Sequence, residues 1–297
     1  MLLSTQTDIP VQRLGYAQGI NLLAEAGFDV LDFSLFSTPC SDGIFEEEDA
    51  DVLRFAKNIR DIADDAGICF DQAHAPYRFS RQMWDDWEEI VFPIVRKGVL
   101  AAGALGANVV VVHPIQYLNY RRNSQRMVEE TLKYYRMLRP VAESAGIKIA
   151  VENMWQRDIN RDVICPSICS DPKEFCAVVD ELGSDVFTAC LDVGHCGLTG
   201  WNASELVRAL GHNRLGALHV HDTDNFNDNH TLPGLGKVNW EDFCRALGEI
   251  DYKGNFTFEA DNFYNIALDE SIFPAAAEMM VQTGRYLMSR VDAYRPE

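Results

Sequence analysis

Short apolar runs alternate with longer amphipathic stretches along most of the chain, and this alternation predicts its elements. Met1–Thr5, Val30–Leu35, Ile68–Ala73, Val109–Val112, Lys148–Val151, Val186–Cys190, Leu215–Val220 and Gly254–Phe258 read as strands. Val109–Val112 is four valines in a row, a β-branched run suited to a buried strand. Helices are expected over Val11–Ala26, Glu46–Ala66, Trp84–Leu105 (with a break near Pro93), Ser124–Ala145, Asn202–Leu210, Trp240–Gly248 and Ser271–Arg290. A further helix starts at Asp171-Pro172, with Asp171 as N-cap and Pro172 in the first helical position. Gly27, Gly67 and Gly146 stand where three of these helices should stop. Ser37–Phe45, Met154–Ser170 and Asp222–Asn239 read as loops, and Cys196–Gly200 as a turn. About eight strand–helix units with near-continuous apolar strands give an α/β fold. The expected architecture is a single (β/α)8 barrel of parallel strands with outer helices, one domain over residues 1–297. An open doubly wound sheet is the alternative. No GxGxxG or GxxxxGK[ST] follows the first strand, which counts against it.

Composition narrows the function. The formal charge is −19, from 26 basic and 45 acidic residues, so the surface repels nucleic acid and anionic membranes. No apolar run approaches membrane-spanning length, and the first ten residues lack the pattern of a signal peptide. The eight cysteines include no CxxC pair; Cys165 and Cys169, four apart, have no second pair to complete a zinc site. Reduced thiols and a cytoplasmic location are therefore expected.

The chemistry-bearing residues cluster at strand ends. In order these are His74, His113, Glu152, Asp192, His219 and Glu259, and the adjoining loops add His195, His221, Asp222, Asp228 and His230. Six of the seven histidines are in this set. In a barrel all these positions surround one mouth. Two Glu and one Asp with a neutral imidazole form an oxygen-rich group that calls for a cation, because the carboxylates repel and desolvate one another. Such a donor set suits Mn²⁺, Mg²⁺ or Co²⁺, and added histidine moves the preference towards Zn²⁺.

Five short motifs occur in order: Val151-Glu152-Asn153, Leu191-Asp192-Val193-Gly194-His195, Leu218-His219-Val220-His221-Asp222, Pro233-Gly234-Leu235-Gly236 and Phe258-Glu259. In this order and spacing the chain resembles the xylose-isomerase-like TIM barrels, which include sugar isomerases and epimerases together with endonuclease IV. The resemblance to the ketose 3-epimerases implies one divalent metal held by Glu152, Asp192, His219 and Glu259. It also implies that Glu152 and Glu259 are the acid/base pair on opposite faces of the sugar, and that His195 and Asp158 contact substrate. His74, His113 and His230 are further pocket candidates. The implied reaction is proton transfer through a cis-enediolate on a ketose or related polyhydroxy-ketone. Elimination by a lyase or dehydratase begins with the same deprotonation, so that alternative stays open.

The rival reading is an endonuclease-IV-like phosphodiesterase with three zinc ions. That resemblance would add His74, His113, His195, Asp228 and His230 as ligands, and all are present. The acidic charge and the lack of an Arg-rich loop oppose a DNA substrate. A small-molecule sugar is the expected partner, and association into a homo-oligomer stays open.

Lesser signals remain. Trp155, in a long loop near Glu152, is placed to stack on a sugar, whereas Trp84 and Trp87 read as core or interface. Pro233–Val238 reads as a turn positioning His230, and Tyr77–Trp87 as a lid or a surface excursion. Arg121, Arg122 and Arg126 read as a solvated helix start or as partners for a substrate phosphate or carboxylate or another subunit.

Overall fold

A computed structural model of the protein describes residues 1–36, 43–265 and 269–296. Most of the expected loop Ser37–Phe45, including Cys40, lies outside these residues. Eight strands carry the barrel: β1 (Leu3–Thr5), β2 (Leu31–Ser34), β3 (Phe70–His74), β4 (Val109–Val112), β5 (Lys148–Glu152), β8 (Phe187–Asp192), β9 (Leu215–His219) and β10 (Phe256–Phe258). The strands β2-β3-β4-β5-β8-β9 form one parallel sheet, paired over three or four residues at each step, and β1 pairs in parallel with β10. A parallel bridge between Gln6 and Asp32, and another between Val220 and Phe258, join the two sheets and close the barrel.

Helices cover the outside. The main ones are α1 (Asp8–Leu14), α2 (Tyr16–Ala26), α3 (Asp49–Asp65), α4 (Arg81–Asp85), α5 (Val91–Leu105), α6 (Tyr120–Ala145), α7 (Pro172–Leu182), α8 (Val193–Leu198), α9 (Ala203–Arg214), α10 (Trp240–Glu249), α11 (Asn262–Asn265) and α12 (Phe273–Asp292). Their apolar faces meet the outer faces of the strands in one large core. Val109, Val111, Ala150, Cys190 and Ala217 form a separate small cluster inside the barrel. These side chains are small or β-branched, as a narrow barrel interior requires. The Asp171 carboxylate accepts from Lys173 N and Glu174 N, which caps α7 as its sequence predicts.

Three expectations need correction, and a fourth, the break near Pro93, is met just ahead of that residue. The helix expected over Val11–Ala26 is two helices, because Gly15 turns the chain at φ 80°. Trp84–Leu105 is also two helices, and the break precedes Pro93. Pro93 lies in the first turn of α5, where a missing N–H costs nothing. The segment Met154–Ser170 contains an antiparallel hairpin, β6 (Trp155–Asp158) against β7 (Val163–Pro166). Most of the expected turn Cys196–Gly200 is helix: Cys196–Leu198 end α8, whose N-terminus Asp192 caps by accepting from His195 N at 2.7 Å, and only Thr199–Gly200 turn. Trp84 and Trp87 are buried in the core.

Candidate metal centre and substrate cavity

Strand alternation lifts the barrel interior into the site. Side chains two apart share a face, so the residues above Val111, Ala150, Cys190 and Ala217 are His113, Glu152, Asp192 and His219. The last turn of each strand thus exchanges an apolar filler for a polar group at the same end of the barrel.

Glu152, Asp192, His219 and Glu259 are all buried, and each offers a ligand atom within 4.8 Å of the others. The Nδ1 atom of His219 lies 2.9 Å from Glu259 Oε2 and 3.3 Å from Glu152 Oε1. Its Nε2 faces Asp32 Oδ2 at 3.4 Å, and that oxygen accepts from Gln72 Nε2 at 2.7 Å. Glu259 Oε1 accepts from Gln6 Nε2 at 2.9 Å. Asn153 clamps the backbone of Asp192: its Oδ1 accepts from Asp192 N at 2.8 Å and its Nδ2 donates to Asp192 O at 3.0 Å. Burial pushes the Glu152 carboxyl up, but His219 and His113 hold it well below the usual range. Burial lowers His219, but Cys190, Glu259 and Glu152 raise it well above the ordinary imidazole value.

Two further groups flank this one: His74, His113 and Glu152 on one side, and His195, His221, Asp228 and His230 on the other. Three of these imidazoles are oriented alike. Nδ1 of His74 meets Ala75 O at 2.8 Å, Nδ1 of His195 meets Asn153 O at 2.8 Å, and Nδ1 of His230 meets Glu259 O at 2.9 Å. A proton on Nδ1 satisfies each carbonyl and leaves Nε2 as the inward lone pair, the arrangement usual for histidine ligands. His74 Nε2 and His113 Nε2 are 3.1 Å apart, and His230 Nε2 is 3.1 Å from Asp228 Oδ2. Burial opposes protonation of His195, but Asp192 and Asp228 raise it to about 10.

The donor set fits a divalent cation. Glu152 Oε2, Glu259 Oε2 and Asp228 Oδ1 are buried with no well-formed hydrogen bond. The near neighbours of the first two are imidazole nitrogens, His113 Nε2 at 3.1 Å from Glu152 Oε2 and His219 Nδ1 at 2.9 Å from Glu259 Oε2, which are themselves donor atoms a cation could share. The group opens into a cavity of about 910 Å³, whose lining includes Tyr77, His113, Glu152, Trp155, His195 and Glu259.

Residues 20–282 match the family model described as xylose isomerase-like TIM barrel. The chain belongs to that family. A D-psicose 3-epimerase of Enterocloster bolteae is 22% identical over 256 residues, covering 82% of this chain and 76% of that protein. The crystal structure of a D-tagatose 3-epimerase-like protein has TM-score 0.73 and 19% identity, covering 98% of this chain and 100% of the other. A D-psicose 3-epimerase from Clostridium cellulolyticum, solved with D-tagatose, has TM-score 0.72 and 16% identity, covering 97% and 99%.

Within this xylose isomerase-like barrel, the structure brings every expected site residue to one mouth. His74, His113, His195 and His230 are in the flanking groups, and Trp155 donates from Nε1 to Asp228 Oδ2 at 3.1 Å beside the cavity. Asp158 also lines the cavity, but its Oδ1 accepts from Asn160 N and Arg161 N and so shapes the hairpin turn. The Pro233–Val238 turn is tied down by the buried Asp222, whose carboxylate accepts from Gly234 N, Val238 N and Trp240 Nε1. His221 has a larger part than its place in the motif indicates. Its Nε2 lies 3.0 Å from both Asp192 oxygens, and a Cβ on Gly194 would run into its ring. Asp32 escapes the sequence reading because it sits inside the apolar run Leu31–Phe36. The only signal for it is a carboxylate in an otherwise buried strand.

Proposed function

We propose that this chain is a divalent-metal-dependent sugar isomerase or epimerase, an isomerase-class enzyme acting on a ketose or related polyhydroxy-ketone. One observation carries the reading: four buried candidate ligands, at the ends of four strands, converge within 4.8 Å of one another, and two of them, Glu152 and Glu259, line a cavity of about 910 Å³. The named epimerases among the relatives support it. Glu152, Asp192, His219 and Glu259 would hold the ion, with Mn²⁺, Mg²⁺ or Co²⁺ favoured by the oxygen-rich donors and Zn²⁺ next. When bound, the ion supplies Lewis-acid polarisation that acidifies the C–H beside the substrate carbonyl.

The chain's own residues then move the proton. One of the carboxylates Glu152 and Glu259 takes the proton from carbon, leaving an enediolate. The other, or the same one, returns a proton to carbon or oxygen. Gln6 fixes Oε1 of Glu259, and Oε2 faces His219 Nδ1 at 2.9 Å within the proposed ligand group. His195 and Trp155 at the cavity wall orient hydroxyls and stack on the sugar, His113 and His230 complete the wall, and His74 backs His113 from 3.1 Å. Cytoplasmic residence agrees with seven free cysteines and with the lack, among the described residues, of a helix long and apolar enough to cross a membrane.

The test is solvent-deuterium incorporation into a ketose panel by metal-loaded protein, with product analysis to separate epimerisation, isomerisation and elimination. Exchange at the carbon beside the carbonyl is expected, and its absence from every ketose overturns the proposal. The flanking groups favour a second reading, an endonuclease-IV-like phosphodiesterase with several ions. Metal content by mass spectrometry separates the two: about one ion per chain fits the isomerase, and about three Zn²⁺ with cleavage of abasic DNA fits the nuclease.

A further inference from the structure

The arginines of this acidic chain are almost all paired. Among the described residues, each lies within 4 Å of a carboxylate except Arg81, Arg121, Arg122 and Arg245. Arg245 stacks over Tyr294, 5.0 Å from the ring centroid. The other three line the same cavity, the one that opens from the metal centre. Arg157 and Arg161, paired with Asp162 and Asp158, line it too. With 45 acidic residues available, unpaired guanidiniums gathered at one mouth do not follow from a shortage of partners.

Their placement also works against local stability. Arg121 and Arg122 lie in a short turn set off from the long part of α6 by the non-helical Asn123 (φ −135°, ψ 21°), at the N-terminal end of that helix, where its dipole disfavours a cation. A solvated helix start would place Asp or Glu there. The cavity is thus polarised, with carboxylates and imidazoles on its floor and guanidiniums at its rim. Its volume, about 910 Å³, leaves room for a ligand larger than a bare ketose.

We infer that the substrate carries an oxyanion, a phosphate or a carboxylate, held by Arg81, Arg121 and Arg122 while its carbonyl end meets Glu152 and Glu259. This rests on the sugar isomerase reading of the same cavity. Guanidiniums bind either oxyanion through paired N–H donors, so both sources share one recognition chemistry.

Two measurements test it. The first is calorimetric titration of chelator-treated protein with inorganic phosphate, comparing wild type with Arg121→Gln/Arg122→Gln and Arg81→Gln. Chelation keeps phosphate from reporting on a bound metal. Binding that weakens about 10- to 100-fold in the variants is expected. Phosphate that does not bind, or binds equally to all three proteins, overturns the inference.

The second is deuterium exchange by metal-loaded protein on an uncharged ketose, its 6-phosphate and a ketohexuronate. Wild type is expected to prefer one charged substrate in kcat/KM, and the preference should fall towards unity in the Arg121→Gln/Arg122→Gln variant. Which charged substrate is preferred assigns the oxyanion. Arg126→Gln, which removes a paired arginine outside the cavity, serves as the control for net charge. An equal loss in that control, or no preference in wild type, overturns the inference. If no ketose exchanges at all, the isomerase proposal fails, and the arginine-dependent phosphate titration alone decides the anion site.

Discussion

Replacing Asn153 with alanine removes the clamp on Asp192. The side chain makes two buried hydrogen bonds to one backbone residue, at 2.8 and 3.0 Å. The carbonyl of Asp192 keeps a second donor, the Cys196 thiol at 3.2 Å, so the main loss falls on its N–H. An unpaired buried donor costs about 1–3 kcal/mol, and the lost net bonding brings the expected destabilisation to about 2–3 kcal/mol. A stable domain has about 5–15 kcal/mol in hand, so the variant still folds. The effect on the site is the more telling one. With Asp192 loosened, metal affinity should fall about 10- to 100-fold, the usual penalty for losing a group that orients a ligand. Urea unfolding and metal titration monitor the two effects separately. Val179→Ala, a core change in α7, gives a comparably destabilised control that should keep wild-type metal affinity. If Asn153→Ala binds metal as the control does, the clamp does not position Asp192 and the reasoning fails.

Three other outcomes are expected. Glu259→Gln should fold normally by circular dichroism yet lose about 100- to 10,000-fold in deuterium exchange, and undiminished exchange with metal bound would remove Glu259 from the acid/base pair. Gly194→Ala should destabilise by about 1–3 kcal/mol in urea, because its Cβ meets the His221 ring; unchanged stability would mean that the ring yields freely. His219 is raised above the ordinary imidazole value, so it carries a proton near neutral pH, and a metal ion must displace that proton. Affinity should therefore rise with pH up to the raised value, about tenfold per unit for one proton. Calorimetry in buffers of different ionisation enthalpy reads the proton released, and a pH-independent affinity would contradict the assignment.

The barrel was legible in the sequence because its strands are buried on both faces. Runs such as Val109–Val112 and Phe187–Asp192 have no solvent side to blur the pattern. The hairpin β6/β7 was not legible, since three of the four residues of Trp155–Asp158 are polar and the segment is not buried, so neither periodicity nor burial marks a strand. The break at Gly15 was hidden because the apolar spacing continues through it. At the site, the four proposed ligands stand at strand ends and could be read in order. Asp32, Gln6 and Gln72 could not, because their importance lies in contacts across the barrel that no local pattern encodes.

Barrel closure has a consequence for how the centre comes together. Glu152, Asp192 and His219 come from the six-stranded sheet, whereas Glu259 and its partner Gln6 follow the two-strand unit. Among the described residues a single bridge joins that unit to the large sheet on either side, with a few backbone hydrogen bonds beside it, such as Thr7 N to Asp32 O and Val220 N to Thr257 O. The fourth proposed ligand therefore stands beside the shortest ladders of the cylinder, and opening of the seam that Glu259 N makes with Val220 O would withdraw it while the sheet stays intact. An ion held as proposed, by Glu259 and the other three, would therefore act as a rivet across both seams, and its removal should loosen them first.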